Sequence, residues 1–170
     1  MYSGAPYKGV ADGVEALVRA KRAVPQMEAV LFGSPRRPRW LPGWIRYERN
    51  LPDDALVDLY NGTAVFLCSS TAEGFALPPA EAMACGCAVA TTDCGGNREY
   101  AEDGVTALIS EPEEPGALAE NLVRLLRDDT LRIRLAEAGQ ERIRGFAWSR
   151  SARRLEACLM ERVGGALTRS

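Results

Sequence analysis

The chain has 170 residues, 46% of them hydrophobic and 26% charged, with a formal net charge of −2. That length fits one domain, residues 1–170, with a core of its own. The near-neutral balance gives no draw toward nucleic acid or an anionic membrane, and no apolar run approaches the roughly 20 residues of a membrane span. Histidine is absent, so the chain alone cannot build an imidazole proton shuttle, a His-based nucleophile pair or a His-containing metal site. The five cysteines (Cys68, Cys85, Cys87, Cys94 and Cys158) are odd in number and not spaced as a disulfide framework, which points to a reducing compartment. The opening residues lack the charged start and apolar run of a signal peptide, so a cytoplasmic location is expected.

In chain order, residues 1–4 read as a short strand. Val10, Val14, Leu17, Val18 and Val24 keep helical spacing up to the stop at Pro25. Residues 27–32 form a compact apolar run closed by Gly33, the pattern of a buried strand. Residues 34–43 hold three prolines and three arginines and read as a loop. A short strand over 44–47 and a helix over 53–60 follow. Residues 64–68 read as a strand, 69–76 as a polar loop, and 78–85 as a helix with prolines in its first turn. Strands are expected over 88–92 and 105–109, and the rest is helical. Leu118, Leu122, Leu125 and Leu126 mark one stripe, and Leu131, Leu135 and Ala138 a second. Ser149 reads as the N-cap of a third helix, with Ala152, Leu155, Leu159 and Val163 on one face. The alternation implies an α/β fold: a Rossmann-like, doubly wound, mainly parallel sheet of about six strands, helices on both faces, and C-terminal helices.

In such a sheet, ligands bind at the carboxyl ends of the strands. Two loops there carry unusual chemistry: Ser69 to Glu81, and Asp93 to Glu99. The first runs into a helix N-terminus, where unpaired amides and the dipole favour an anion. Gly74 lets backbone approach a ligand. Glu81, read as lying in the helix's first turn, has two oxygens to hold the vicinal hydroxyls of a ribose. Glu73, eight residues earlier, is placed for a second sugar. Gly95 and Gly96 bring flexible backbone to the same edge, and Lys8 is a point charge for a diphosphate. A glutamate near a helix start is also favoured by the dipole alone, and Gly95-Gly96 also suits a plain tight turn. Cys85-Gly86-Cys87 is too closely spaced for an ordinary zinc knuckle and reads as small buried side chains.

The continuous run from Glu73 to Tyr100 (EGFALPPAEAMACGCAVATTDCGGNREY) is far more specific than its parts. It resembles the C-terminal, nucleotide-sugar-binding domain of family-four glycosyltransferases, the retaining GT-B enzymes with an E-x7-E motif (glycosyl transferases group 1). Pro6-Tyr7-Lys8-Gly9, the Tyr60–Ser70 segment, Gly104–Leu108 and Phe146-Ala147-Trp148 extend the likeness over essentially the whole chain. The resemblance implies that Glu73 contacts the donor hexose and Glu81 the ribose. It also implies that the amides of Gly74, Phe75, Ala76 and Leu77 meet the diphosphate or sugar, that Lys8 meets the diphosphate, and that Gly95 and Gly96 line the cleft. Glu73 and Lys8 would be the catalytic pair. Ser3 belongs to the donor-binding set but stands where relatives usually carry arginine, so one phosphate contact is lost or supplied elsewhere, and a hexosyl or rhamnosyl-type donor is open. Ala76 stands where glycine is common and Ala88 where proline is common.

The family builds its cleft between two domains, so the resemblance implies that the acceptor-binding N-terminal domain is missing here. The chain would then be a fragment or one half of a split enzyme, inactive alone. Its last helix would cross toward the absent partner and carry an uncovered apolar face. The implied function is transfer of a sugar from a nucleoside diphosphate to an acceptor hydroxyl in bacterial polysaccharide or glycoconjugate synthesis. No cofactor or metal is required, since there is no Asp-x-Asp and no evident carboxylate cluster. The alternatives are a non-catalytic nucleotide-binding module of the same fold and half of a sugar-nucleotide epimerase. The nucleotide sugar is the expected partner and nucleic acid is not. The basic loop Pro35–Arg39 reads as solvated surface, with a peripheral contact at the inner membrane face open for the full-length enzyme.

Overall fold

The computed structural model describes the backbone of residues 1–167 and the side chains of residues 1–162. After a 3-10 turn over Pro6–Lys8, the elements are α1 (Val10–Ala23), β1 (Ala29–Gly33), β2 (Ile45–Arg49), α2 (Asp53–Asn61), β3 (Val65–Cys68) and α3 (Leu77–Ala84). There follow β4 (Ala88–Thr92), β5 (Leu108–Ser110), α4 (Pro115–Arg127), α5 (Asp129–Ile143) and α6 (Trp148–Leu167). Every strand pair is parallel. Val65 pairs with Ala88 and Ala90 with Leu108, and β4, in the middle, is buried along its whole length.

Alternation along the strands sorts the layers. Val65 and Leu67 of β3, with Ala88 and Ala90 of β4, pack with Ala16 of α1 and Leu118, Ala119 and Leu125 of α4. Phe66, Cys68 and Val89 face the other way, onto Tyr60 of α2 and Ala80 and Met83 of α3. The expected leucine stripe on α4 is core: Leu118, Leu122 and Leu125 are buried. α1 ends at Ala23, as the stop at Pro25 predicts.

The strand count differs from expectation. Among the described residues, five strands form two sheets, β1–β2 and β3–β4–β5, in place of one sheet of about six. Residues 1–4 contribute a single parallel bridge, Tyr2 to Gly33, with the Tyr2 amide donating to Phe32 O at 2.6 Å, before the chain turns at Pro6. The strand expected over 105–109 is shorter and later. The Glu102 carbonyl accepts the amides of Val105, Thr106 and Ala107, and Gly104 stands at φ 71°. That turn holds Val105 and Thr106 out of the ladder. α6 begins one residue before Ser149, and the amides of Arg150 and Ser151 bond to the Ala147 carbonyl. Ser149 is therefore not the cap; the backbone of Ala147 closes the turn. Every described side chain from Trp148 to Arg162 is exposed, including Trp148, Leu155, Leu159 and Met160. The fourth residue of the expected apolar face, Val163, lies outside the described side chains.

The layer between the sheet and α3 holds thiols and phenols away from water. Cys87 is buried and donates to the Tyr60 carbonyl, and Cys94 is buried beside Cys68. Burial pushes the Cys87 thiol up to about 12 and that of Cys94 up to about 11, from an ordinary 9.0. Burial likewise raises the Tyr60 and Tyr100 phenols. An acid with a raised folded-state pKa stabilises the fold fully below its ordinary pKa, and that stability is lost as pH climbs toward the folded value. The melting temperature should therefore hold up to about pH 8.5 and fall above about pH 9, each pH unit costing about 1.4 kcal/mol per buried thiol. Cys87→Ala with Cys94→Ala should flatten the decline between about pH 9 and 10. A wild-type profile that stays level to about pH 11 would show that these thiols ionise freely in the folded chain.

Candidate functional site

The site forms where β3 and β4 end. Three segments converge there: the Pro6–Gly9 turn, the loop from Ser69 to Ala76, and the Asp93–Asn97 segment.

Gly9 is in the left-handed region at φ 56°, and a Cβ on it would lie 1.9 Å from the Ser69 carbonyl oxygen. Only glycine fits that approach. Hydrogen bonds then dock the turn: the Thr71 amide donates to Tyr7 O at 2.7 Å, and the Ser69 hydroxyl to Lys8 O at 3.2 Å. The docked turn delivers Lys8 Nζ to Glu73 Oε1 at 2.6 Å, and the Ser70 hydroxyl donates to the same oxygen at 2.8 Å. Both members of the ion pair are largely buried, with side chains 14% and 13% exposed. Lys8 and Glu73, singled out separately from sequence, are thus partners. Removing one member of such a pair strands the other charge, at a cost of about 3–5 kcal/mol.

Glu73 is held from the other side by Cys94 and Gly95. Its amide donates to Cys94 O at 2.9 Å, and Glu73 and Gly95 form a parallel bridge. A Cβ on Gly96 would fall 2.4 to 2.6 Å from the Glu73–Gly74 backbone. Gly95 and Gly96 therefore brace the acidic loop from behind. The buried Asn97 amide donates to Thr92 O at 2.8 Å and anchors this segment to β4. Gly74 has no atom within 4 Å of its Cβ position and is open to an approaching ligand.

α3 starts at Leu77, with Ala76 as its N-cap at φ 59°, ψ 67°. The left-handed conformation of Ala76 accounts for the glycine usual at this position in the resembling family. Pro78 and Pro79 have no N–H, so the amides available to an anion are those of Gly74, Phe75, Ala76 and Leu77. The buried Tyr100 hydroxyl donates to Ala76 O at 2.6 Å, and Phe75 packs against Tyr100 and Phe146. The loop is thus fixed by one hydrogen bond and an aromatic cluster.

Glu81 is not in the first turn of α3. It is the fifth residue of a helix that starts at Leu77, beyond reach of the simple N-terminal preference for acidic residues. What positions it is Tyr60, buried at the end of α2, whose hydroxyl donates to Glu81 Oε2 at 3.2 Å. A cavity of about 440 Å³ joins these groups, with Lys8, Glu73, Glu81, Leu77 and Tyr60 in its walls. Ser3 is not among its lining residues; its hydroxyl accepts the Ala5 amide at 3.3 Å. Tyr60, Ser70 and Tyr100 are contributors that sequence reasoning did not single out as site residues. A polar hydroxyl inside the apolar stripe of α2 was the available signal for Tyr60.

The basic loop has a structural use. The Arg37 guanidinium donates to the carbonyls of Leu41, Pro42 and Ile45, clasping the loop ahead of β2. Among the described residues, no group of three or more His, Cys, Asp or Glu could hold a metal ion. No described helix is long and apolar enough to cross a membrane.

Residues 3–142 match the family described as Glycosyl transferases group 1, and the chain belongs to that family. It is 36% identical over 109 residues to a D-inositol 3-phosphate glycosyltransferase of Frankia alni, a match covering 64% of this chain and 27% of that protein. Matches to the curated relatives span from about a quarter to two-fifths of their length. Among solved structures, the C-terminal domain of a glycosyl transferase group 1 family protein from Francisella tularensis superposes with a TM-score of 0.74 at 26% identity, covering 83% of this chain and 80% of that one. An Anabaena protein solved in complex with UDP-glucose shares the fold, with a TM-score of 0.69 at 24% identity over 82% of this chain and 41% of that one.

Two neighbouring glycines should respond oppositely to the same substitution. Gly96→Ala drives a methyl into backbone and should cost about 1–3 kcal/mol. Gly74→Ala meets open space and should stay within about 0.5 kcal/mol of the parent. Urea denaturation of both measures this; equal stability of the two variants would mean that Gly96 does not pack against Glu73 as described.

Proposed function

We infer that this chain is the donor-binding domain of a retaining glycosyltransferase, which moves a sugar from a nucleoside diphosphate to an acceptor hydroxyl in bacterial polysaccharide or glycoconjugate synthesis. The observation that carries the reading is the meeting of Lys8, Glu73 and Glu81 around one cavity beside the open amides of Gly74 to Leu77. The size of about 440 Å³ is in the range of small-ligand sites. Membership of the glycosyl transferases group 1 family and the likeness to a protein solved with UDP-glucose support it.

In this reading each group has a separate task. Glu81, steadied by Tyr60, takes the two ribose hydroxyls. Glu73 takes hydroxyls of the donor sugar through Oε2, since Lys8 and Ser70 both bond to Oε1. The diphosphate lies across the amides of Gly74 to Leu77, and Lys8 reaches it while keeping its contact with Glu73. When the bond from the anomeric carbon to the diphosphate oxygen breaks, the new charge rests on Lys8 and those amides, fixed donors that need no reorganisation. No metal or cofactor is required. Ser3 leaves to the amides the phosphate contact that an arginine would make. In this reading the acceptor and the second wall of the cleft come from a further, N-terminal domain, so the residues described here bind the donor and turnover needs both domains. The full-length enzyme works on the cytoplasmic side, peripheral to the inner face of the membrane.

Calorimetric titration with UDP, GDP, ADP and dTDP tests this. One nucleotide should bind saturably. Glu81→Ala should weaken it by about 1.5–3 kcal/mol, and Tyr60→Phe, which keeps the ring and drops only the hydroxyl, by about 0.5–1.5 kcal/mol. Absence of binding to all four at millimolar ligand would favour a non-catalytic module of the same fold.

A further inference from the structure

The near-neutral balance of the whole chain hides a local excess. Residues 34–49 hold five arginines and one glutamate, in a chain whose net charge is −2. That glutamate, Glu48, is paired with Arg46 at 3.3 Å. Among the described residues, no carboxylate pairs with Arg36, Arg37, Arg39 or Arg49. Uncompensated cations therefore gather on the connection from β1 to β2 and at the end of β2.

That connection is held in one shape. Pro38 and Leu41 are buried, and Leu41 packs with Val14, Leu31 and Ile45. The Arg37 guanidinium closes the second half of the loop on the carbonyls of Leu41, Pro42 and Ile45. The first half is tied to β2: the Tyr47 hydroxyl donates to Pro35 O at 2.7 Å, and Arg49 Nε to Ser34 O at 3.0 Å. What remains outside is Arg36, Arg39 and Trp40. Trp40 is 56% exposed, with its ring edge-on to that of Tyr2 at 6.4 Å. The loop thus buries a proline and a leucine but leaves its indole, the largest apolar group it has, in water beside guanidiniums. Solvation alone accounts for the arginines and not for the indole.

We propose that the Arg36–Trp40 face is a docking surface for an anionic lipid bilayer, with Trp40 in the headgroup layer and Arg36 and Arg39 on lipid phosphates. An indole has an apolar body and one N–H donor, which suits the boundary between headgroups and acyl chains. Arginines beside it add attraction to anionic lipid, each about fivefold in affinity. The clasped loop presents all three side chains without first being ordered, which lowers the cost of binding. Nucleic acid is the other polyanion that combines phosphate with a use for an aromatic ring. Single strands are held in grooves with successive stacking rings, and a duplex groove admits a helix or a two-stranded ribbon. This face offers one ring on a loop with prolines at 35, 38 and 42, which fits a flat surface better than either. None of residues 34–49 lines the donor cavity, so the proposal does not rest on the donor-site reading.

The test needs no nucleotide. The 170-residue chain is sedimented with vesicles of phosphatidylcholine alone, or with about one-third phosphatidylglycerol. It should go down with the anionic vesicles only, and be released by high salt. Arg36→Gln with Arg39→Gln should weaken binding by about twenty- to thirtyfold. Arg150→Gln with Arg153→Gln takes the same charge from α6 and should leave affinity within about twofold, since exposed charges beyond a Debye length are screened. Brominated acyl chains should quench the tryptophan fluorescence of the parent, and Trp40→Phe should lose that quenching although Trp44 and Trp148 remain. Failure of the parent to sediment with anionic vesicles at low salt overturns the proposal. So does an equal loss in the two arginine pairs, or quenching that persists in Trp40→Phe. Tighter binding to oligodeoxythymidine than to vesicles, with the same dependence on Trp40, overturns it in favour of a nucleic-acid surface.

Discussion

The contact on which the site depends is the one between Gly9 and the carbonyl of Ser69. It is a backbone-to-backbone approach that a single methyl would prevent. It holds the Pro6–Lys8 turn against the end of β3, and the bonds from Thr71 and Ser69 to Tyr7 and Lys8 follow from it. The docked turn sets Lys8 Nζ beside Glu73. The pairing of two groups 65 residues apart is thus a consequence of main-chain geometry. It also answers an electrostatic difficulty. In the proposed reading, two unpaired carboxylates would repel the diphosphate. With Lys8 compensating Glu73, the local balance is one negative charge, on Glu81, set against four open amides.

The two glutamates share a motif but are held by different physics. Glu73 sits on a loop whose backbone is captured by Cys94, Gly95 and Gly96, and its carboxylate is bonded twice on one oxygen. Glu81 sits on a helix, and its residue is exposed. Tyr60 is the only donor to its carboxylate among the described residues, and the Tyr60 ring is itself packed edge-on against Phe32 and Phe66. Rigidity at Glu81 is therefore borrowed from the core, through one hydroxyl. In the proposed reading, binding of a diol gains from that arrangement, because the ligand does not have to order the carboxylate first.

What was legible in the sequence is what local pattern determines. The apolar stripes of α1 and α4, the buried β4 and the prolines opening α3 rest on spacing or composition within a short window, whereas Lys8, Glu73 and Glu81, which the fold brings to one cavity, were singled out by the resemblance of a longer run. The misreadings share a cause. Val105 looks like a strand residue by hydrophobicity, but the Glu102 carbonyl gathers three following amides into a turn, and no propensity encodes that competition. Ser149 has a capping side chain, but the carbonyl of Ala147 closes the turn before it. Glu81 was placed in the first helical turn because Pro78 looked like the start; one residue of shift moved it past the dipole's reach. Ser70, Tyr60 and Tyr100 act through partners on other elements, and partner choice is invisible to periodicity.

The site is coupled to β1 through a short stretch of backbone. Tyr2 is paired to Gly33, and the turn that carries Lys8 begins at Pro6. On the other side, β3 runs directly into Ser69 and Ser70, which dock that turn and bond Glu73. The turn that carries Lys8 is therefore held at its tip from Ser69 and Thr71 and at its base through the pairing of Tyr2 with Gly33, so the position of the Lys8 cation depends on β1 as well as on β3.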